Sequence, residues 1–123
     1  MHDEKILVVE DDAIISELIM WRLKDLGYAK CKFVSSGEEA VEEARVMSPD
    51  LILMDVTLDG DLDGIDAIKE IKKFIPGVPF VYLSSHMEND IIERALETKP
   101  SGYIAKPFED FELRMGIEIA LIK

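Results

Sequence analysis

The stretch Asp50-Leu51-Ile52-Leu53-Met54-Asp55 decides the reading of this chain: four apolar residues in a row, closed by a carboxylate. A short, continuously apolar run of this kind fits a strand buried on both faces. Its counterpart stands near the N-terminus, where Ile6-Leu7-Val8-Val9 runs into Glu10-Asp11-Asp12. Two buried strands that each end in acid deliver carboxylates to one rim. Carboxylates brought together repel, so they need a cation or a raised pKa. The acidic rim is the expected place of chemistry, with Asp55 at its centre.

Working outward, strands are expected at 6–9, 29–34, 51–54, 80–84 and 102–105. Between them lie segments of helical period. Ile15, Leu18, Ile19, Leu23 and Leu26 form one stripe, stopped by Gly27. Ala40, Val41, Ala44 and Met47 form a second, opened by the capping-box pair Ser36 and Glu39. Ile65, Ile68, Ile71 and Ile75 form a third before Pro76-Gly77, and Ile91, Ile92, Ala95 and Leu96 a fourth before Pro100. A fifth helix is expected from about 109 to the C-terminus. This alternation predicts a parallel sheet with helices on both faces. Right-handed crossovers put every strand's C-terminal end on the same rim, where ligands of such sheets bind. Glu10, Asp11, Asp12, Asp55, Ser84 and Lys106 all follow or end strands, so they converge there.

The fifth helix carries two apolar stripes. Phe111, Met115, Ile119 and Ile122 lie on one side, and Leu113, Ile117 and Leu121 lie nearly opposite. Either the helix is mostly buried, or one stripe meets a partner. With no C-terminal cap signal, a dimer surface or a domain cut from a longer protein is expected.

At 123 residues with 48% hydrophobic content, one domain spanning 1–123 is the natural count. No apolar stretch is long enough for a bilayer and no secretory pattern opens the chain, so a cytoplasmic setting is expected. The single Cys31 has no intrachain disulfide partner and reads as a buried strand thiol. Fourteen basic residues against 26 acidic ones give a net charge of -12, which repels nucleic acid and anionic membrane.

Clustered carboxylates make a hard oxygen site suited to Mg²⁺ (or Mn²⁺), which keeps positions for water or substrate oxygens. Lys106 adds a positive charge able to clamp a phosphoryl oxygen, and Ser84 adds a hydroxyl. A carboxylate in that company can act as a nucleophile toward phosphorus. Each residue alone has a plainer role. Asp12 is a natural helix N-cap, Ser84 a turn residue, and Lys106 a solvated lysine.

In this order the motifs resemble the response-regulator receiver domain, the phosphoacceptor module of two-component signalling. The resemblance rests on 6–11, 50–55, Asp63-Gly64, Leu83-Ser84-Ser85 and the run from Gly102 through Lys106-Pro107-Phe108. It implies a flavodoxin-like three-layer α/β/α sandwich with five parallel strands in the order 2-1-3-4-5. It implies that Asp55 accepts a phosphoryl group from a sensor histidine kinase or phosphotransfer protein, as a phosphoacceptor and not as an enzyme with turnover of its own. Glu10, Asp11, Asp55 and the backbone carbonyl of Thr57 would hold the metal. Lys106 and Ser84 would bind the phosphoryl oxygens, and Pro107 would follow a cis peptide. Tyr103 stands at the family's aromatic switch position, turning inward as Ser84 moves toward the added charge. Thr57 and His86 occupy places that steer water. The output surface would be the fourth helix, fifth strand and fifth helix, which could also form a homodimer.

The loop after Asp55 departs from the family pattern, with Asp59 where a Pro is common and about one extra residue; in this it resembles receivers attached to sensor histidine kinases. Asp59, Asp61, Asp63, Gly64 and Glu70 also fit the calcium-loop formula D-x-D-x-D-G-x5-E. Against it stand a preceding strand instead of a helix, and Asp66 at a normally apolar position. An aspartyl-nucleophile phosphatase is a third reading, but such enzymes carry an acid two residues after the nucleophile, where this chain has Thr57.

Overall fold

A computed structural model describes residues 2–86 and 88–122. Five strands alternate with five helices: β1 His2–Val9, α1 Ala13–Asp25, β2 Tyr28–Val34, α2 Gly37–Met47, β3 Leu51–Asp55, α3 Gly64–Lys72, β4 Phe80–Ser84, α4 Asn89–Glu97, β5 Gly102–Ala105 and α5 Asp110–Leu121. The strands pair in parallel in the order β2-β1-β3-β4-β5. This is the flavodoxin-like sandwich expected from the sequence.

The period-two alternation of a strand splits each apolar run between two cores. Leu7, Val9, Ile52, Met54, Phe80 and Tyr82 face one side, where α2, α3 and α4 supply Ala40, Ala44, Ile65, Ile68 and Ala95. Ile6, Val8, Leu51, Leu53, Val81 and Leu83 face the other, against Ile19 and Leu23 of α1 and Leu113 and Ile117 of α5. Both β3 and β4 are buried along their full length, which is why their sequences show no polar alternation.

Register sets the rim. Val9 stands beside Met54, Asp55 beside Leu83, and Ser84 beside Ala105. The C-terminal ends of β1, β3, β4 and β5 are therefore level to within about a residue.

Several local features depart from the sequence reading. β1 begins at His2, because its polar start still pairs with β2 and the His2 ring stacks on Tyr28 at 4.2 Å. α3 ends at Lys72, leaving Ile75 beyond the helix, although its N–H still reaches the Ile71 carbonyl at 2.9 Å. Cys31 is half-buried on an edge strand, not fully buried; Cys31 and Phe33 pack inward while Lys30 and Lys32 alternate outward. On α5 the stripe of Leu113 and Ile117 is buried, and Phe111, Ile119 and Ile122 are more than half exposed.

Candidate active site

The Asp55 carboxylate sits at the end of β3, 4% exposed. Its Oδ1 accepts the Thr57 N–H at 3.1 Å, and its Oδ2 lies 3.2 Å from Lys106 Nζ. Glu10, one residue past β1, is 3% exposed. Its Oε2 accepts the Asp12 N–H at 3.1 Å, while Oε1 lies 2.7 Å from Lys106 Nζ. Lys106 thus bridges two buried acids from the opposite side of the rim. It gets there because its own N–H continues the sheet ladder to the Ser84 carbonyl at 2.8 Å. The Lys106-Pro107 peptide is cis, as the resemblance implied.

One ammonium does not neutralise two buried carboxylates. Burial, and then the adjoining Glu10, push the Asp55 pKa up to about 8 despite the opposing pull of Lys106. Burial alone would lower the Lys106 pKa, but Glu10 and Asp55 outweigh it and raise it above its ordinary value. The site as it stands is short of positive charge.

Glu10, Asp11 and Asp55 each place a carboxylate oxygen within 4.8 Å of the others, the one such group of acids among the described residues. Glu10 Oε1 is buried and has no hydrogen-bond donor aligned on it, although the Lys106 ammonium is close. An orphaned oxygen, a hard all-oxygen donor set and a local charge deficit fit a small divalent cation such as Mg²⁺. Asp12 is not part of the group. Its Oδ1 caps α1 by accepting the N–H of Ile14 at 2.9 Å and of Ile15 at 3.1 Å.

Ser84 and Tyr103 reach the same atom. The Ser84 hydroxyl accepts the His86 N–H at 2.9 Å and donates to the His86 carbonyl at 3.2 Å. The Tyr103 hydroxyl donates to that carbonyl at 3.1 Å, its ring half-buried beside Tyr82. The His86 imidazole itself lies 3.3 Å from the Glu88 carboxylate, turned to the surface. Thr57 is exposed at the start of the β3–α3 loop.

Two of the residues of the calcium formula, Asp63 and Glu70, are otherwise engaged. Asp63 caps α3 through the Asp66 N–H at 2.8 Å and pairs with Arg94 at 3.1 Å, and Glu70 pairs with Lys73 at 2.7 Å. Among the described residues, Asp59, Asp61, Asp63 and Glu70 contribute to no three-acid group. A spacing formula does not register competing caps and ion pairs. The chain shape also gives no warning of three contacts that frame the site: the His86 carbonyl, Arg94 on Asp63 and Asp66, and Glu38 on the Leu62 N–H. A backbone carbonyl has no side-chain signature, and the charged pairs are made by tertiary packing.

Comparison with known proteins agrees with this geometry. The family model for the response regulator receiver domain matches residues 6–118. PdtaR of Mycobacterium tuberculosis, a transcriptional regulatory protein, is 37% identical over 118 residues, covering 95% of this chain and 56% of PdtaR. The chain thus spans about half the length of that relative. The chemotaxis protein CheY of Thermotoga maritima is 30% identical over 106 residues, with 86% and 88% of the two chains covered. Among solved structures, the receiver domain of a sensor histidine kinase from Pseudomonas aeruginosa PAO1 superposes with a TM-score of 0.85 at 33% identity, covering 97% of this chain and 98% of that one. That structure has a magnesium ion coordinated in its active-site cleft. Two buried acids bridged by a lysine at the strand ends, with the exposed Asp11 carboxylate beside them, together with the match over 6–118, have one reading: the chain belongs to the receiver domain family of two-component response regulators.

Proposed function

We propose that Asp55 accepts a phosphoryl group from the phosphohistidine of a sensor histidine kinase or phosphotransfer protein. The observation that carries this is Lys106 bridging Glu10 and Asp55 beside the Asp11 carboxylate. Glu10, Asp11, Asp55 and the Thr57 carbonyl hold Mg²⁺ (or Mn²⁺). When bound, the ion supplies positive charge against the negative charge of the transferring group. An Asp55 oxygen attacks phosphorus, the bond from phosphorus to the histidine nitrogen breaks, and the imidazole leaves. Lys106 takes the charge that develops on the phosphoryl oxygens. Ser84 leaves His86 to bond one of those oxygens, and Tyr103, which shares the His86 carbonyl, is released to reposition. That change reaches the surface of α4, β5 and α5, where a homodimer forms.

Residues 1–123 act as one phosphoacceptor domain in the cytoplasm, and not as an enzyme turning over free substrate. A phosphatase would need an acid where Thr57 stands. A calcium module would bind Ca²⁺ through Asp61 independently of Asp55. The test is mass spectrometry after exposure to acetyl phosphate or a phosphohistidine donor with Mg²⁺. One acid-labile phosphoryl adduct is expected, lost in Asp55→Ala. No adduct, or one that persists in that variant, overturns the proposal.

A further inference from the structure

The β3–α3 loop leaves the site at Val56 and returns at Gly64, whose N–H donates to the Val56 carbonyl at 2.9 Å. Val56 and Leu58 anchor the outgoing limb in the core. Thr57 lies between them, its N–H on Asp55 Oδ1. The tip, 59–61, is exposed. The returning limb is held from α2. Glu38 Oε1 accepts the Leu62 N–H at 3.1 Å across 24 residues of sequence. Leu62 itself rests on Gly37, where an added Cβ would come within 2.7 Å of the Leu62 carbonyl oxygen. The same Glu38 carboxylate lies against Gly60, 2.9 Å from where its Cβ would be.

Glu38 is exposed and heads a helix, where an acid in the first turn is ordinarily only a match for the helix dipole. Here its carboxylate is spent on the loop. The loop has an acidic tip and no regular structure between Val56 and Gly64. Asp59, Asp61 and Glu38 repel one another, so the hydrogen bond to Leu62 is what keeps the returning limb on α2. Val56 and Leu58 pin the ends of the outgoing limb, and the set of the returning limb bears on how the exposed Thr57 carbonyl between them is turned. A carbonyl ligand is useful only if it is held in place before the ion arrives, because ordering it at binding costs affinity.

We propose that Glu38 is a positioning residue for the metal site, fixing the Thr57 carbonyl by holding the returning limb of its loop through the Leu62 N–H. This rests on the reading that Thr57 supplies a metal ligand. The role needs an acceptor oxygen at position 38 and not its charge, so the conservative variant separates it from general electrostatics.

The experiment is Mg²⁺ titration by calorimetry on the wild type, Glu38→Ala and Glu38→Gln, with amide hydrogen exchange in the metal-free proteins. Loss of one hydrogen bond predicts about five-fold weaker Mg²⁺ binding in Glu38→Ala. Exchange at the Leu62 and Thr57 amides is expected to quicken in the same variant, while the β3 and β4 amides stay protected. Glu38→Gln keeps an acceptor and is expected within about two-fold of wild type in affinity. Glu38→Ala binding as the wild type does, or Glu38→Gln as weak as Glu38→Ala, overturns the inference while leaving the phosphoacceptor reading intact. Wild-type protein that takes up no Mg²⁺ overturns both.

Discussion

The two halves of the site are built differently. Glu10, Asp55 and Lys106 each sit at or one residue beyond a strand end, and the ladder register fixes them. Thr57 and the segment up to Asp63 ride on a loop held by a few polar contacts to α2 and α4. The strand half resists motion because shifting β1 or β3 by one residue would flip a fully buried run to the wrong face. The loop half has no such penalty: past the buried Val56 and Leu58, its placement depends on single hydrogen bonds. Chemistry that needs a fixed nucleophile uses the first kind of support. On the proposed reading, the metal's carbonyl ligand at Thr57 is left to the second.

The boundary between the halves is the place to break this arrangement most severely. An added Cβ on Gly64 would fall 1.9 Å from the Asp55 carbonyl oxygen, so Gly64→Ala must push the loop neck off the strand. A loss of about 3 kcal/mol in urea unfolding is expected. A stability near wild type would mean that the neck is as pliant as the tip. On the strand side, Lys106→Met removes the only cation touching Glu10 and Asp55 among the described residues. Phosphoryl acceptance from acetyl phosphate is expected to slow about 100-fold, read as the initial rate of adduct formation. Retained speed would show that a metal alone suffices. Asp55→Asn acts in the opposite sense on stability. It relieves two buried acids that share one lysine, so the chelator-treated protein is expected to gain about 1–2 kcal/mol. A loss instead would show that the Lys106 pairing outweighs the repulsion. At the loop tip, Asp61→Asn is expected to change both stability and Mg²⁺ affinity by less than about 0.5 kcal/mol. A larger effect on Ca²⁺ binding would revive the calcium reading.

The same division explains what could be read from the chain. Strand ends were legible because a short apolar run is a local signal: β4 falls at the expected 80–84, and β3 runs one residue past the expected 51–54 to take in Asp55. Glu10, Asp55 and Lys106 followed from topology alone. The alternation also hid some facts. Both stripes of α5 are equally apolar in sequence, and only packing against β4, β5 and α1 selects Leu113 and Ile117 for the interior. The loop was harder still. Its acids matched a formula for a cation site, yet Asp63 and Glu70 are taken by a helix cap, Arg94 and Lys73. No local pattern announces a partner 24 or 31 residues away.

The margin of the sheet at β2 has its own consequence. One row of its backbone groups faces no further strand among the described residues, an open invitation to a second chain. Lys30 and Lys32, outward-facing on an otherwise strongly acidic molecule, would stack ammonium against ammonium if two such margins met. Lysines so placed on an edge strand oppose the edge-to-edge joining of two sheets into a ribbon.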